Sequence, residues 1–270
     1  SGASSTAARR HGYGAAGMRM LWPSTHDDVD PIAVYAADRR SSTARPWVMV
    51  NMIATVDGSA AGASGVSGDL GGPADKRVFS AIRAVADVIV AGSATITTED
   101  YGPSRPSSSV MQQRLARGQA ARPRIAVVTG TLRVDPELRL FRDATPDAPP
   151  IVLTTERADP RRRRALAAVS EVHTAGVEQV DWPRAIDVLH STAGARVVLC
   201  EGGPRTNAQL VAHDLVDEMC VTVAPMLLSG TGSRIIHGPG LPAALRLALD
   251  RVLTEDDYLF LRYVRDRTTG

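Results

Sequence analysis

Cysteine is scarce in this 270-residue chain, which has only Cys200 and Cys220. Two thiols exclude a disulfide scaffold and a four-thiolate zinc site. Each ends an apolar run, at 196–200 and 216–220, and reads as a buried strand residue, because free cysteine behaves as a small hydrophobe. Long hydrophobic runs are missing as well: none approaches the ~20 residues needed to cross a bilayer. Arg9, Arg10 and Arg19 interrupt the Ala/Gly-rich beginning before a leader-like apolar segment can form. A cytoplasmic, reducing location is the expectation. Charge of one sign is also lacking. The net value of +2 makes no case for nucleic acid or a membrane surface.

Several catalytic signatures are absent. There is no P-loop, no H-E-x-x-H and no G-x-S-x-G. Gly230-Thr231-Gly232 continues as Ser233-Arg234-Ile235, so the dinucleotide fingerprint G-x-G-x-x-G fails at its third glycine. The histidines at 11, 26, 173, 190, 213 and 237 show no metal-ligand spacing.

Residues 1 to about 44 are rich in Ala, Ser, Gly and Arg, with no sustained period. They read as a flexible arm with a short helix near Pro31 to Arg39. The body, 45–266, starts at the buried-strand sequence from Trp47 to Ala54. A helix opens at Pro73-Ala74-Asp75, with Val78, Phe79, Ile82 and Val85 along one face. Apolar runs at 87–91, 124–129, 150–154 and 196–200 then alternate with helical patterns at 159–169, 181–191 and 206–213. Such alternation predicts an α/β fold with a mainly parallel, doubly wound sheet. Three strand-like stretches, 218–224, 245–253 and 258–264, predict an antiparallel C-terminal edge hairpin. The Pro- and Ser-rich stretch 103–109 reads as a surface loop.

Four segments have the chemistry of a site. Leu199-Cys200-Glu201-Gly202-Gly203-Pro204 is an apolar strand entering a glycine pair and then a helix. Bare backbone and a helix N-terminus suit a pyrophosphate, and equally a plain strand-to-helix turn. Thr55-Val56-Asp57-Gly58 sets a carboxylate at a strand's carboxyl end, where open α/β sheets bind ligands, although Asp-Gly is also an ordinary turn. In Gly92-Ser93-Ala94-Thr95 the hydroxyls can face a ligand or cap the next helix. Arg157 and the run Arg161–Arg164 can reach an anion such as a 2′-phosphate, or form a solvated helix face.

The order of these motifs is more specific than any one of them. Thr55-Val56-Asp57-Gly58, Gly65-Val66-Ser67-Gly68, Ile82-Arg83-Ala84, Gly92–Thr95 with Glu99-Asp100, Glu201–Pro204, and Val216-Asp217-Glu218 with Ala224-Pro225 together resemble the reductase domain of riboflavin-biosynthesis deaminase-reductases, over about residues 46–264. The resemblance implies a dihydrofolate-reductase-like fold, NADPH as hydride donor, a homodimer, and reduction of 5-amino-6-(5-phosphoribosylamino)uracil. Carried over by position, Ile53, Thr95, Glu99, Thr129, Gly130, Gly202, Gly203, Pro204, Arg205, Thr206 and Asn207 would meet the cofactor. Ser67, Arg83 and Glu201 would meet the substrate. Arg83 would pair with its phosphate, and Glu201 would accept from its pyrimidine or sugar. Asp57 would stand beside the reacting centre, delivering a proton or polarising the ring.

Three departures stand out. The deaminase signatures H-x-E and P-C-x-x-C do not occur, so a standalone reductase is expected. Asp69 or Leu70 replaces an aromatic residue of the Ser67 loop, and an expected arginine is displaced to Arg105. Two other readings stay open: reduction of a pterin such as dihydrofolate, and a nucleotide-binding protein without turnover.

Overall fold

The computed structural model describes residues 17–38, 40 and 45–267. Ten strands build one sheet: β1 (Arg19–Trp22), β2 (Trp47–Thr55), β3 (Val88–Gly92), β4 (Arg124–Val128), β5 (Ile151–Thr154), β6 (Glu171–Thr174), β7 (Val197–Cys200), β8 (Glu218–Ala224), β9 (Leu247–Glu255) and β10 (Tyr258–Arg265). Their spatial order is β1-β9-β10-β8-β2-β7-β3-β4-β5-β6. From β8 to β6 every pairing is parallel. β10, β9 and β1 extend the sheet antiparallel. The mixed sheet with its antiparallel C-terminal strands is the one expected.

Among the described residues eight helices cover it: α1 (Pro31–Ala37), α2 (Pro73–Val85), α3 (Ser93–Thr98), α4 (Ser108–Ala116), α5 (Arg139–Arg142), α6 (Pro160–Ala167), α7 (Trp182–Ala193) and α8 (Pro204–Ala212). β2 shows why parallel strands read as unbroken apolar runs. Met49 joins Val78 and Ile82 of α2 in one core, while Val48 and Val50 join Ile186 and Leu189 of α7 in another. A strand buried on both faces cannot alternate apolar with polar.

The helix ends follow local chemistry. Asp181 caps α7 by accepting from the Arg184 N–H, and Gly194 ends that helix in the left-handed region. Three carbonyls around the end of α2 and beyond α4 (Ala84, Ala86 and Ala120) accept from the buried Arg114 guanidinium, whose pKa burial lowers to about 10.

The N-terminal portion differs in part from expectation. The helix from Pro31 is present, yet Arg19–Trp22 also forms a strand, paired with β9. Met18 and Tyr35 are buried and α1 lies against α2. Residues 1–16, 39 and 41–44 of the expected arm lie outside the described residues. Three further helices or strands escaped the periodicity: β6, α5, and α4, which begins inside the expected surface loop.

Candidate active site

The carboxyl ends of the parallel strands share one edge of the sheet. β7 ends there between β2 and β3, so residues beyond Cys200 emerge beside both. Glu201 N–H donates to Val90 O and Gly92 N–H to Gly202 O, both at 2.9 Å, which prolongs the β3–β7 contact into the turn. Gly202 has φ +94°, a left-handed conformation that favours glycine, and the Gly202–Gly203 peptide is cis.

Space decides the glycines here as much as conformation. A Cβ on Gly203 would lie 2.8 Å from Thr95 Oγ1, and one on Gly92 would lie 2.9 Å from Thr206 Oγ1. Gly203 precedes α8 without a side-chain cap, so the amides of Arg205 and Thr206 at the helix start keep their donors for another acceptor.

In front of this turn lies a cleft of ≈ 430 Å³, whose wall includes Ile53 of β2, Ser67, Arg83 of α2, Thr95, Glu99 and Glu201. Six residues singled out in the sequence thus meet in one place. Arg83 and Glu201 form a two-pronged pair: Arg83 Nε and Nη2 donate to the two carboxylate oxygens, each at 2.6 Å. Tyr101 O–H donates to Glu201 Oε2 at 2.7 Å. The guanidinium also lies over the Phe79 ring, 4.2 Å from its centroid, and 5.4 Å from that of Tyr101. Burial opposes the charge of Arg83, but Glu201 outweighs it and the net shift is upward. Burial raises the Tyr101 phenol, and the Glu201 charge adds to that. Glu99 accepts the Ser67 N–H at 2.8 Å, fixing the loop ahead of α2. Lys76, Arg105 and Arg139 bring positive charge to the cleft, with Arg139 held on Asp100 at 2.8 Å.

The remaining site residues fall elsewhere. Thr129 and Gly130 lie past β4 on the same sheet edge; the Thr129 hydroxyl accepts from Leu132 N–H, and Gly130 O accepts from Thr155. Arg205 is exposed on the first turn of α8. Asn207 is buried, donating to Ile235 O at 2.8 Å and accepting from the Cys200 thiol, so its side chain serves the fold. Asp57 is not among the residues of the cleft wall. Its carboxylate accepts from the Thr55 hydroxyl and from the backbone N–H groups of Leu228 and Ser229, at 3.0 and 2.6 Å. Those bonds, Thr55 first, hold its pKa below the ordinary carboxyl value. Arg162 and Arg163 reach the backbone of Thr131 and Thr155.

Sequence reasoning missed Asp75, Asn51, Lys76 and Tyr101, all on the cleft wall. An Asp in the first turn of a helix is so ordinary that it draws no notice, and the others stand outside any motif. Among the described residues no cluster of His, Cys, Asp and Glu could hold a metal, and no helix is long and apolar enough to cross a membrane.

A family model described as the RibD C-terminal domain matches residues 46–259. The chain is 32% identical over 223 residues to the 2,5-diamino-6-ribosylamino-4(3H)-pyrimidinone 5′-phosphate reductase of Methanothermobacter thermautotrophicus, covering 81% of this chain and 98% of that protein. The protein of the same description from Archaeoglobus fulgidus is 28% identical over 189 residues, covering 70% and 84%. Among solved structures, a pyrimidine reductase-like protein from Corynebacterium diphtheriae superposes with a TM-score of 0.78 at 26% identity, over 88% of this chain and 100% of that one.

Proposed function

The chain belongs to the RibD C-terminal domain family, and from that premise we propose that it reduces a ribosylamino-pyrimidine 5′-phosphate to its ribityl form with NADPH, as a riboflavin-biosynthesis reductase. The observation that carries this reading is the meeting of an uncapped glycine turn with a polar cleft: Gly202-Gly203 and the start of α8 on one side, the Arg83–Glu201–Tyr101 cluster on the other.

The residues present fit a dinucleotide. A Cβ at Gly203 would fill the space beside Thr95, and the α8 amides with the helix dipole suit a diphosphate. When bound, the cofactor supplies a hydride; the protein supplies orientation and protons. Glu99 holds Ser67 in place at the cleft wall. Two of the three guanidinium nitrogens of Arg83 are engaged by Glu201. Lys76, Arg105 and Arg139 therefore take over the greater share of a 5′-phosphate. The Glu201 carboxylate, fixed by Arg83 and Tyr101, orients the sugar or the base. The two relatives described above are named for the 2,5-diamino pyrimidinone, so that form is preferred over the 5-amino-uracil form. A homodimer is part of the same reading, and sedimentation measures it.

Loss of reduced-nicotinamide absorbance tests the proposal, with the diamino compound, the uracil compound and dihydrofolate offered separately. Oxidation with a ribosylamino-pyrimidine is the expected result. Oxidation with dihydrofolate alone, or with none of the three, overturns the reading.

A further inference from the structure

The cleft wall carries four carboxyl groups: Asp75, Glu99, Asp100 and Glu201. Three have strong donors. Glu201 is clamped by Arg83, Glu99 holds a backbone amide, and Asp100 pairs with Arg139. Asp75 differs: no guanidinium or backbone amide clamps it, and the groups that favour its charge are the Thr222 hydroxyl and, more weakly, Lys76. Such a carboxyl is free to hold its proton, and a reduction that opens a sugar ring needs one.

The placement is built by the sheet. Thr222 of β8 stands in register with Ile53 of β2, and parallel neighbours in register point the same way. Asn51, two residues before Ile53, shares that face. This is the α2 side of the sheet, where Met49 packs on Val78 and Ile82. Asp75, in the first turn of α2, therefore lies over the ends of β2 and β8. Gly71 leaves room for it, since a Cβ there would come within 2.7 Å of Asp75 Oδ2. A second, independent feature points to a ligand. Asn51 Oδ1 is buried, faces the same cleft and has no hydrogen-bond partner. An unmatched amide oxygen at such a place is unfavourable until a donor arrives.

Resting on the function proposed above, we infer that Asp75 is the proton donor of the reduction, with Thr222 orienting it and Asn51 receiving an N–H or O–H of the bound ligand. The nitrogen lone pair on the anomeric carbon expels the ring oxygen, so the C1′–O4′ bond breaks. O4′ takes the Asp75 proton and becomes a hydroxyl. The resulting C1′=N bond accepts the hydride of the reduced nicotinamide at carbon, and its π electrons return to nitrogen as a neutral amine. Solvent reprotonates Asp75. One hydride and one proton are consumed.

Burial raises the pKa of Asp75; the Thr222 hydrogen bond and the Lys76 charge oppose this without cancelling it. The groups facing it are Lys76 on its own helix, Thr222 from β8, Asn51 from β2 and Tyr258 from β10. Tyr258 is itself raised, first by burial and then by the charges of Asp75 and Asp256. A proton donor must be protonated to act, so kcat/KM falls as pH rises through the Asp75 pKa.

The test compares wild type, Asp75→Asn, Asp75→Glu and Thr222→Val in full-length protein. Asp75→Asn is expected to lower kcat about 100-fold or more and to abolish the alkaline fall, with NADPH affinity within about threefold of wild type. Asp75→Glu should recover part of the rate, and Thr222→Val should move the alkaline limb. A readout free of turnover is the carboxyl carbon resonance of Asp75 in ligand-free protein, expected to titrate above the ordinary Asp range of about 3.9. An ordinary titration, or a wild-type pH profile in Asp75→Asn, overturns the inference while leaving the reductase function intact. A wild type that oxidises NADPH with no pyrimidine substrate overturns both. Should Asp75→Asn fail to fold, Asp75→Glu and the resonance decide by the same criteria.

Discussion

Arg83 and Glu201 face each other through two parallel 2.6 Å hydrogen bonds, tying α2 to the end of β7 across 118 residues of sequence. The carboxylate side chain is only 2% exposed, so its stability depends on the guanidinium. Arg83→Met would leave a buried anion without its cation and should cost about 3–5 kcal/mol. Replacing both, with Arg83→Met and Glu201→Leu, should restore most of that loss while activity stays absent. Urea unfolding of the two single variants and the double variant measures the coupling.

Gly203→Ala is the sharpest test of the proposed cofactor site. The added methyl meets Thr95 Oγ1 at 2.8 Å, so either the hydroxyl or the turn must move. NADPH affinity should drop about tenfold or more, equivalent to about 1.4 kcal/mol. Isothermal titration reads this directly, and a Thr95→Ala partner substitution should return part of the affinity.

Asp57 holds the amides of Leu228 and Ser229, and its pKa is depressed first by Thr55 and then by Ser229. Asp57→Ala removes the anchor of the segment after β8. Limited proteolysis between residues 226 and 233 should accelerate strongly, and turnover at saturating substrate should change less than the cleavage rate. The reverse ranking would restore Asp57 to the reaction itself.

Acid should expose the buried network at the amino end of β8. Glu218 accepts from Arg40, Arg262 and the Trp47 indole. Burial pushes its pKa up, but Arg262 and Arg40 prevail and bring it down to about 2. A carboxylate depressed by folding contributes fully above its unfolded value of about 4.3, and that contribution fades as pH falls toward 2. Glu218→Gln should flatten the dependence of the urea midpoint on pH across that interval.

The chain has a single lysine, Lys76, exposed at the cleft. Reductive trapping with a phosphorylated aldehyde should modify it, and the pyrimidine substrate should protect it. Peptide mass mapping with and without substrate measures the difference. Equal labelling in both would remove Lys76 from the phosphate end of the site.

What the sequence made legible was local. Strands buried on both faces announce themselves as apolar runs, and the Gly202-Gly203 turn announces a close backbone approach, so β2, β7 and their loops were readable. Ser67, Arg83, Thr95, Glu99 and Glu201, singled out through the order of short motifs, line one cleft. Pairings across long separations left no trace. Nothing near Asp75 signals Thr222, which lies 147 positions later, and nothing in Arg19–Trp22 signals β9. Asp57 is a further case: nothing near it in sequence signals the loop amides, far downstream, from which its carboxylate accepts. Asn207 followed the glycine turn in sequence, but the helix rotates it toward the core instead of the cleft.

The central place of β2 has a consequence for how such an enzyme can change. β7 with its glycine turn flanks that strand on one side and β8 on the other, so in the reaction proposed above its carboxyl end would take electrons from the β7 flank and protons from the β8 and α2 flank. These two supplies are built from separate stretches of chain that touch the same strand from opposite neighbours. Mutation can therefore remodel what is reduced, by altering residues on α2 and β8, while the electron source stays untouched. One backbone with a fixed reductant and an exchangeable acceptor is a ready starting point for new specificities.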